Sequence, residues 1–377
     1  MKTPLVSVIV TAYNTAGYIE QCLTALTKQT LKQIEIICID DASTDGTDEI
    51  IKRFVKQNPQ IRAVYQKQNQ GVSAARNHGI KLAKAEYIMF CDGDDYFEPE
   101  ACELMHATAT REQVDLVVSE INVIYHAHRE MKPSDDFYYA LDRSGKCLLS
   151  DDVIYSTDLA PTNKLFKKSL LQQYHLAFPE GLRFEDAYFC VAYMCACKTA
   201  FYLNRRLYNY IRHNNSLMSA TWSNKNQTDI AIDHLRIAIK LYTFLEQNDL
   251  LAIYAPLFWR YFADFTRFAL QNSKSKARVR EVRAEARAFV AQHEESLHTA
   301  PRDIRGQVIS LTTKQRLFNI VRIKRALIRL MPTYRLATEN IQRLSTLKAH
   351  NQELLEKVHQ LFAEEAEETI AKRKKGN

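Results

Sequence analysis

Along the first third of the chain, apolar residues alternate between two spacings. LVSVIVTAY (5–13), IEIICID (34–40), IRAVY (61–65) and EYIMF (86–90) are short, Val- and Ile-rich runs that predict strands. Between them, GYIEQCLTALTKQ (17–29), GTDEIIKRFVKQ (46–57) and GVSAARNHGIKLAKA (71–85) repeat apolar residues at helical spacing. Such alternation implies βαβ units, and so an α/β fold with a mainly parallel central sheet covered by helices. VDLVVSEINVIY (114–125) predicts one more strand, near the sheet edge. Beyond residue 155, APTNKLFKKSLLQQY and FEDAYFCVAYMCACK read as helices and AFYLNRRLYNYIR as a strand. From about residue 225 nearly everything is helical: TDIAIDHLRIAIKLYTFLEQN, APLFWRYFADFTRFALQ and KSKARVREVRAEARAFVAQ. These changes of pattern divide the chain into an α/β domain (1–222), a helical region (223–300) and a tail (301–377).

Composition narrows the picture. With 46% hydrophobic residues over 377 positions, the chain can build two or three cores. No apolar run approaches the ~18 residues of a membrane span. The opening MKTPLVSVIV enters a strand without a signal cleavage site, so a cytoplasmic protein is expected. Eight cysteines without paired CxxC spacing read as buried free thiols in a reducing compartment. The formal charge of +7 is concentrated, because the stretch 304–338 holds Lys and Arg but no Asp or Glu. The rest is near neutral, and no nucleic-acid partner is expected.

Candidate chemistry collects at predicted strand ends, where open parallel sheets bind ligands. These are Thr11-Ala12-Tyr13-Asn14, Asp40-Asp41 and Asp92-Gly93-Asp94-Asp95. Crowded carboxylates suit a hard divalent cation, with a solvated turn as the alternative. The first turn has no GxGxxG, which disfavours a dinucleotide-binding domain. DASTDGT (41–47) imitates a calcium loop, but its twelfth position is Lys52 rather than Glu. In the tail, 314–332 forms a basic amphipathic pattern, either a surface helix or a dock on an anionic membrane surface. In 344–362, Leu344, Asn351 and Val358 alternate with Leu347, Leu354 and Leu361 at heptad spacing, for a homodimeric coil or a fold-back.

The ordered pieces VSVIVTAYNTAGYIEQCL, IEIICIDDASTDGTDEII, NQGVSAARNHGI, YIMFCDGDDYFEP and FEDAYF resemble the family-2 inverting glycosyltransferases over roughly residues 5–215. The resemblance implies a GT-A (nucleotide-diphospho-sugar transferase) fold with a helical C-terminal region. It implies metal-dependent inverting transfer from a UDP-sugar donor to a glycan or lipid-linked acceptor, of the bacterial surface-polysaccharide type, at the inner face of the cell membrane if the tail docks there. Donor-nucleotide residues would be Thr11, Ala12, Tyr13, Asn14, Asp41, Asn69, Gly71, Arg76 and Asp92. Tyr13 can stack on the base, and Asp41 matches the acceptor of uracil N3–H. Arg76 could serve the nucleotide or a structural carboxylate. Asp94 would bind Mn²⁺ or Mg²⁺, and Asp92 would reach the ribose or the same metal. Asp95 would support that turn, as Asp40 supports its own strand end. Asp186 matches the catalytic base, against the plainer reading of a carboxylate at a helix N-terminus. Glu185 would orient the acceptor or brace that helix. Asn163 and Lys164 resemble an acceptor-side element. Arg212, His213 and Ser216 would belong to a segment closing over the diphosphate. A nucleotide-sugar-binding scaffold without catalysis is opposed by the joint presence of Asp41, Asp92, Asp94 and Asp186. A nucleotidyltransferase would show a Gly-rich basic loop after the first strand, and TAYNTAGY is not one.

Overall fold

The computed structural model describes residues 3–125, 143–212 and 230–312. These fall within one compact unit, Met1–Gln315; the second unit, Arg316–Asn377, lies outside the described residues, as do the expectations for 314–332 and 344–362. The expected alternation appears in order: β1 (Val6–Ala12), α1 (Ile19–Thr27), β2 (Ile34–Asp40), α2 (Thr47–Gln57), β3 (Ile61–Tyr65), α3 (Val72–Leu82) and β4 (Tyr87–Asp92). β5 (Tyr96–Phe97), α4 (Ala101–Glu112), β6 (Leu116–Tyr125), β7 (Gly145–Leu148) and α5 (Asp151–Ser156) follow. Next come β8 (Lys164–Lys167), α6 (Lys168–Gln173), α7 (Glu185–Ala196) and β9 (Thr199–Arg212). The helices α8 (Ile232–Gln247), α9 (Leu251–Asn272), α10 (Lys276–Gln292), α11 (Glu294–His298) and α12 (Arg302–Thr312) complete the described chain.

Among the described residues the strands form one sheet in the order β3-β2-β1-β4-β8-β6-β9-β5, with β7 also on β9. Strands β3, β2, β1 and β4 pair in parallel, and β6 pairs with β9 in parallel. The inserted β8 runs antiparallel to both β4 and β6. Two expectations are corrected. The segment 160–174 is not one helix, because Lys164–Lys167 is β8. Its Leu165 and Phe166 point alternately to the two apolar sheet faces, so tertiary pairing overrides the helical spacing. Strand β6 is interior rather than near the edge, because β8 and β9, both later in sequence, flank it.

Alternation along β1 divides the core. Val6, Val8 and Val10 join α1, α2 and α4 on one face, while Ile9 joins α3 and α7 on the other. Helix α3 lies so close to β1 that a Cβ on Gly79 would stand 2.3 Å from Ile9 Cγ2. The Ile9 face continues without a break through Phe90, Phe166, Phe189 and Tyr193 into Leu235, Phe258, Trp259 and Phe289 of α8–α10. The C-terminal helices thus share one hydrophobic core with the sheet. All eight cysteines are free thiols, seven of them buried and Cys147 half-buried. No helix among the described residues is long and apolar enough to cross a membrane.

Candidate active site

Parallel register sets the polar strand ends side by side: Ala12 lies opposite Asp40, and Thr11 opposite Asp92. Two non-glycine residues adopt left-handed backbone where the chain leaves β1 and β2, Asn14 (φ 52°) and Ala42 (φ 64°). The loops are stitched together: Asn14 N–H donates to Ser43 Oγ (2.9 Å), and Thr44 N–H donates to Asn14 Oδ1 (2.9 Å). Beside them Tyr13 is 46% exposed, so its ring is available for stacking. Asn69 is exposed as well.

Asp41 and Asp40 divide the work at the end of β2. Asp40 accepts from the Ser43 hydroxyl (2.5 Å), which closes its own turn. Asp41 accepts from the backbone N–H groups of Gln70 and Gly71, each at 2.8 Å, one on each carboxylate oxygen. Gly71, at φ +89°, takes a backbone conformation that other residues rarely adopt, and it leads directly into α3. The carboxylate of Asp41 is thereby fixed in direction, with a lone pair left on each oxygen.

The acidic turn after β4 is held just as closely. Gly93 N–H donates to Thr11 O (2.8 Å), and a Cβ at Gly93 would stand 3.0 Å from that same oxygen. Any side chain there would force the turn to shift away from the end of β1. Asp92 accepts from Thr11 Oγ1 (3.2 Å) and Arg76 Nη2 (3.0 Å), both through Oδ1, and its side chain remains 35% exposed. Asp94 is half-buried. Asp95 is buried, and it accepts from Tyr208 Oη (2.6 Å) and from Ile211 N–H (2.7 Å). Burial, with Asp94 and Asp92 nearby, pushes the Asp95 carboxyl well above the usual carboxylate range. Tyr208 also accepts from Asp92 N–H at 3.3 Å, so β9 is clamped to the acidic turn from behind.

Arg76 crosses the crevice. Buried on α3 over the ring of Phe178 (5.1 Å), it gives one arm to Asp92 and the other to Glu185 at 3.0 Å. Both arms of Arg76 are thus taken up by carboxylates that are themselves candidate site residues. Glu185 and Asp186 form the first turn of α7, entered through Phe184 in left-handed conformation (φ 64°). Asp186 Oδ1 accepts from Ala187 N–H at 2.8 Å. Burial, and next the charge of Glu185, push Asp186 up to about 7, against the opposing pull of Arg76. A carboxyl that titrates near neutrality is matched to taking a proton from a neutral hydroxyl.

The remaining expected residues that the structure describes have partners of their own, and Arg212 directly follows Ile211, whose N–H donates to Asp95. Asn163 and Lys164 are wholly buried at the start of β8: Lys164 Nζ donates to Asp158 (2.9 Å), Ala160 O (2.7 Å) and Asn163 Oδ1 (2.9 Å). Arg212 ends β9 with its guanidinium 5.8 Å from the Tyr210 ring centroid. His213 and Ser216 lie outside the described residues. Sequence reading overlooked Tyr208 and Phe178, whose roles come from partners far along the chain, and the left-handed turn at Phe184.

A divalent cation fits the donor set at the acidic turn. Asp92 and Asp94 offer hard carboxylate oxygens, and the contacts of Asp92 fall on Oδ1 alone. No group of three or more His, Cys, Asp or Glu that could hold a metal occurs among the described residues. Two carboxylates without a full protein cage suit a cation whose remaining ligands are phosphate oxygens and water.

Residues 7–174 match the family model described as "Glycosyl transferase family 2". The chain is 30% identical over 257 residues to the putative glycosyltransferase EpsH of Bacillus subtilis (strain 168), covering 67% of this chain and 73% of that protein. It is 33% identical over 228 residues to glycosyltransferase GlyG of Streptococcus pneumoniae serotype 4, covering 57% and 73% respectively. Among solved structures, residues 1–349 of S. aureus TarS in complex with UDP-GlcNAc align at a TM-score of 0.59 and 20% identity, over 90% of this chain and 92% of that one. At that identity the likeness is one of fold.

Proposed function

The chain belongs to glycosyltransferase family 2, and from that premise we propose that it transfers a sugar, with inversion, from a UDP-sugar donor to a glycan or lipid-linked acceptor in bacterial surface-polysaccharide assembly. The UDP-GlcNAc bound by TarS supports the donor class, and the bacterial relatives support the setting. Tyr13 stacks on uracil, and Asp41 accepts its N3–H. Cytosine carries no proton there, so an oriented carboxylate discriminates against it. Asp92 and Asp94 would hold Mn²⁺ or Mg²⁺, which when bound neutralises charge on the departing diphosphate.

The acceptor hydroxyl oxygen forms a bond to the anomeric carbon from the face opposite UDP. The bond from that carbon to the diphosphate oxygen breaks, and UDP leaves with the electron pair. The hydroxyl proton passes to Asp186, and the sugar's configuration inverts. The observation that carries this reading is the place of Asp186 in the first turn of α7, beside Glu185, which Arg76 links to Asp92 of the acidic turn. Incubation with a panel of UDP-, GDP- and dTDP-sugars, with the product anomer read by NMR, tests it. Turnover of UDP-sugars with inverted configuration is expected; retention, or turnover confined to GDP-sugars, would overturn it.

A further inference from the structure

Helix α7 begins at an unfavourable residue. Left-handed backbone is costly for a bulky side chain, and neither glycine nor asparagine stands there, but Phe184 at φ 64°. Such a conformation persists only where its surroundings impose it. Here they belong to the C-terminal helices. The first turn of α8 supplies Asp233, whose Oδ2 accepts from Arg183 N–H (3.3 Å), and His234, whose ring centroid lies 3.4 Å from that of Phe184. Phe268 of α9 backs the imidazole at 4.2 Å. His234 is buried, and burial lowers it to about 3, so the ring stays neutral as it lies tilted between Phe184 and Phe268. The last carbonyl before the helix, Phe184 O, accepts from Ala187 N–H (3.2 Å), the same group that Asp186 engages.

We propose that His234 is a positioning residue for the transfer: by clamping Phe184 in its left-handed turn, it fixes where α7 starts and so where Asp186 stands beside the acidic turn. This rests on reading Asp186 as the base. The helices after residue 230 then take part in positioning the active site. If the clamp is released, Phe184 can relax toward right-handed backbone. The helix then loses its fixed end, and the Glu185 arm of the Arg76 bridge loses its anchor.

The test compares His234→Ala, His234→Phe and the wild type by amide hydrogen exchange over 183–190 and by steady-state kinetics. In His234→Ala, exchange at Glu185–Ala187 should quicken roughly tenfold or more. Its kcat should fall about ten- to a hundredfold, the scale of small misplacements, with donor KM nearly unchanged. The midpoint of its pH–rate profile should shift, and His234→Phe, which keeps an aromatic ring, should restore exchange and kcat together. Should His234→Ala fail to fold, Phe268→Leu, which removes the ring behind the imidazole, carries the same measurements. Wild-type exchange and wild-type kcat in a folded variant overturn the proposal, as does loss of kcat that His234→Phe does not rescue. A wild-type protein that transfers no sugar defeats the base reading alone, since the exchange result still decides the clamp.

Discussion

Arg76 and Glu185, 109 residues apart in sequence, meet as a buried ion pair at 3.0 Å. The second arm of the guanidinium reaches Asp92 at the same distance, so α3 braces the end of β4 against the head of α7. A planar guanidinium sends donors from two separate nitrogens in fixed directions, a spread that the single nitrogen of lysine does not reproduce. Arg76→Ala should cost about 3–5 kcal/mol of stability, because it strands buried carboxylate charge. Arg76→Lys should recover part of that stability but little of the turnover. Urea melts paired with kinetics check both; a kinetically normal Arg76→Lys would sink the idea of a brace.

Asp186→Asn should keep donor binding and cut turnover by roughly a hundredfold or more, as removal of a general base does. Calorimetric titration with UDP separates binding from turnover. Weakened UDP binding with intact turnover would move Asp186 to the donor side.

The raised Asp186 also has two pH signatures. As a base it works deprotonated, so kcat/KM should rise with pH through about 7 and then level off. Its folded-state value lies above the ordinary 3.8, so the native protein holds this proton more tightly than the unfolded chain. Stability from this group is present at low pH and is lost as pH rises toward 7. Asp186→Asn should therefore gain thermal stability relative to wild type at pH 8 and gain little at pH 4. A wild-type advantage at pH 8 would contradict the assigned shift.

At the acidic turn, EDTA should abolish transfer, Mn²⁺ or Mg²⁺ should restore it, and Asp94→Ala should lose it. Gly93→Ala should lower activity even in saturating metal, because its Cβ meets the backbone oxygen of Thr11 at 3.0 Å and the turn must shift. Full activity in EDTA removes the cation from the reading.

The basic segment 314–332 leads to a separate expectation. A chain ended at Gln315 should bind anionic vesicles less than the full chain, while still glycosylating a soluble acceptor. Full-chain binding should weaken as salt rises, since each basic residue near such a surface contributes about 1 kcal/mol of screenable attraction. Equal vesicle binding by both chains would assign the segment another role.

The first half of the sheet was legible from sequence because β1, β2 and β3 pair with their neighbours in sequence and every strand through β4 carries its own apolar run. IEIICID and IRAVY match β2 and β3 residue for residue. The later half was not, because its order depends on pairings between distant segments. KLFK has helical neighbours and becomes a strand only because β4 and β6 leave a gap for it. The site follows the same division. Strand-end residues such as Asp41 and Asp92 announce themselves by composition, and the structure brings them together. The groups that hold them do not: Tyr208 lies 113 residues from Asp95, and Phe184 looks like any core aromatic until its φ is known.

The insertion of β8 between β4 and β6 also sets a timetable for synthesis. Strands β1 to β4 can close as soon as they leave the ribosome, because each neighbour has already been made. Strand β6 emerges with neither neighbour in existence, and β8 follows only after roughly forty more residues, some seconds of elongation at ~5–20 residues per second. Through that interval the nascent chain shows bare edges, one on β4 and both on β6, and bare edges recruit other strands. Slower elongation across residues 126–163 should therefore harm yield through this waiting stage, before any defect in the finished enzyme could be seen.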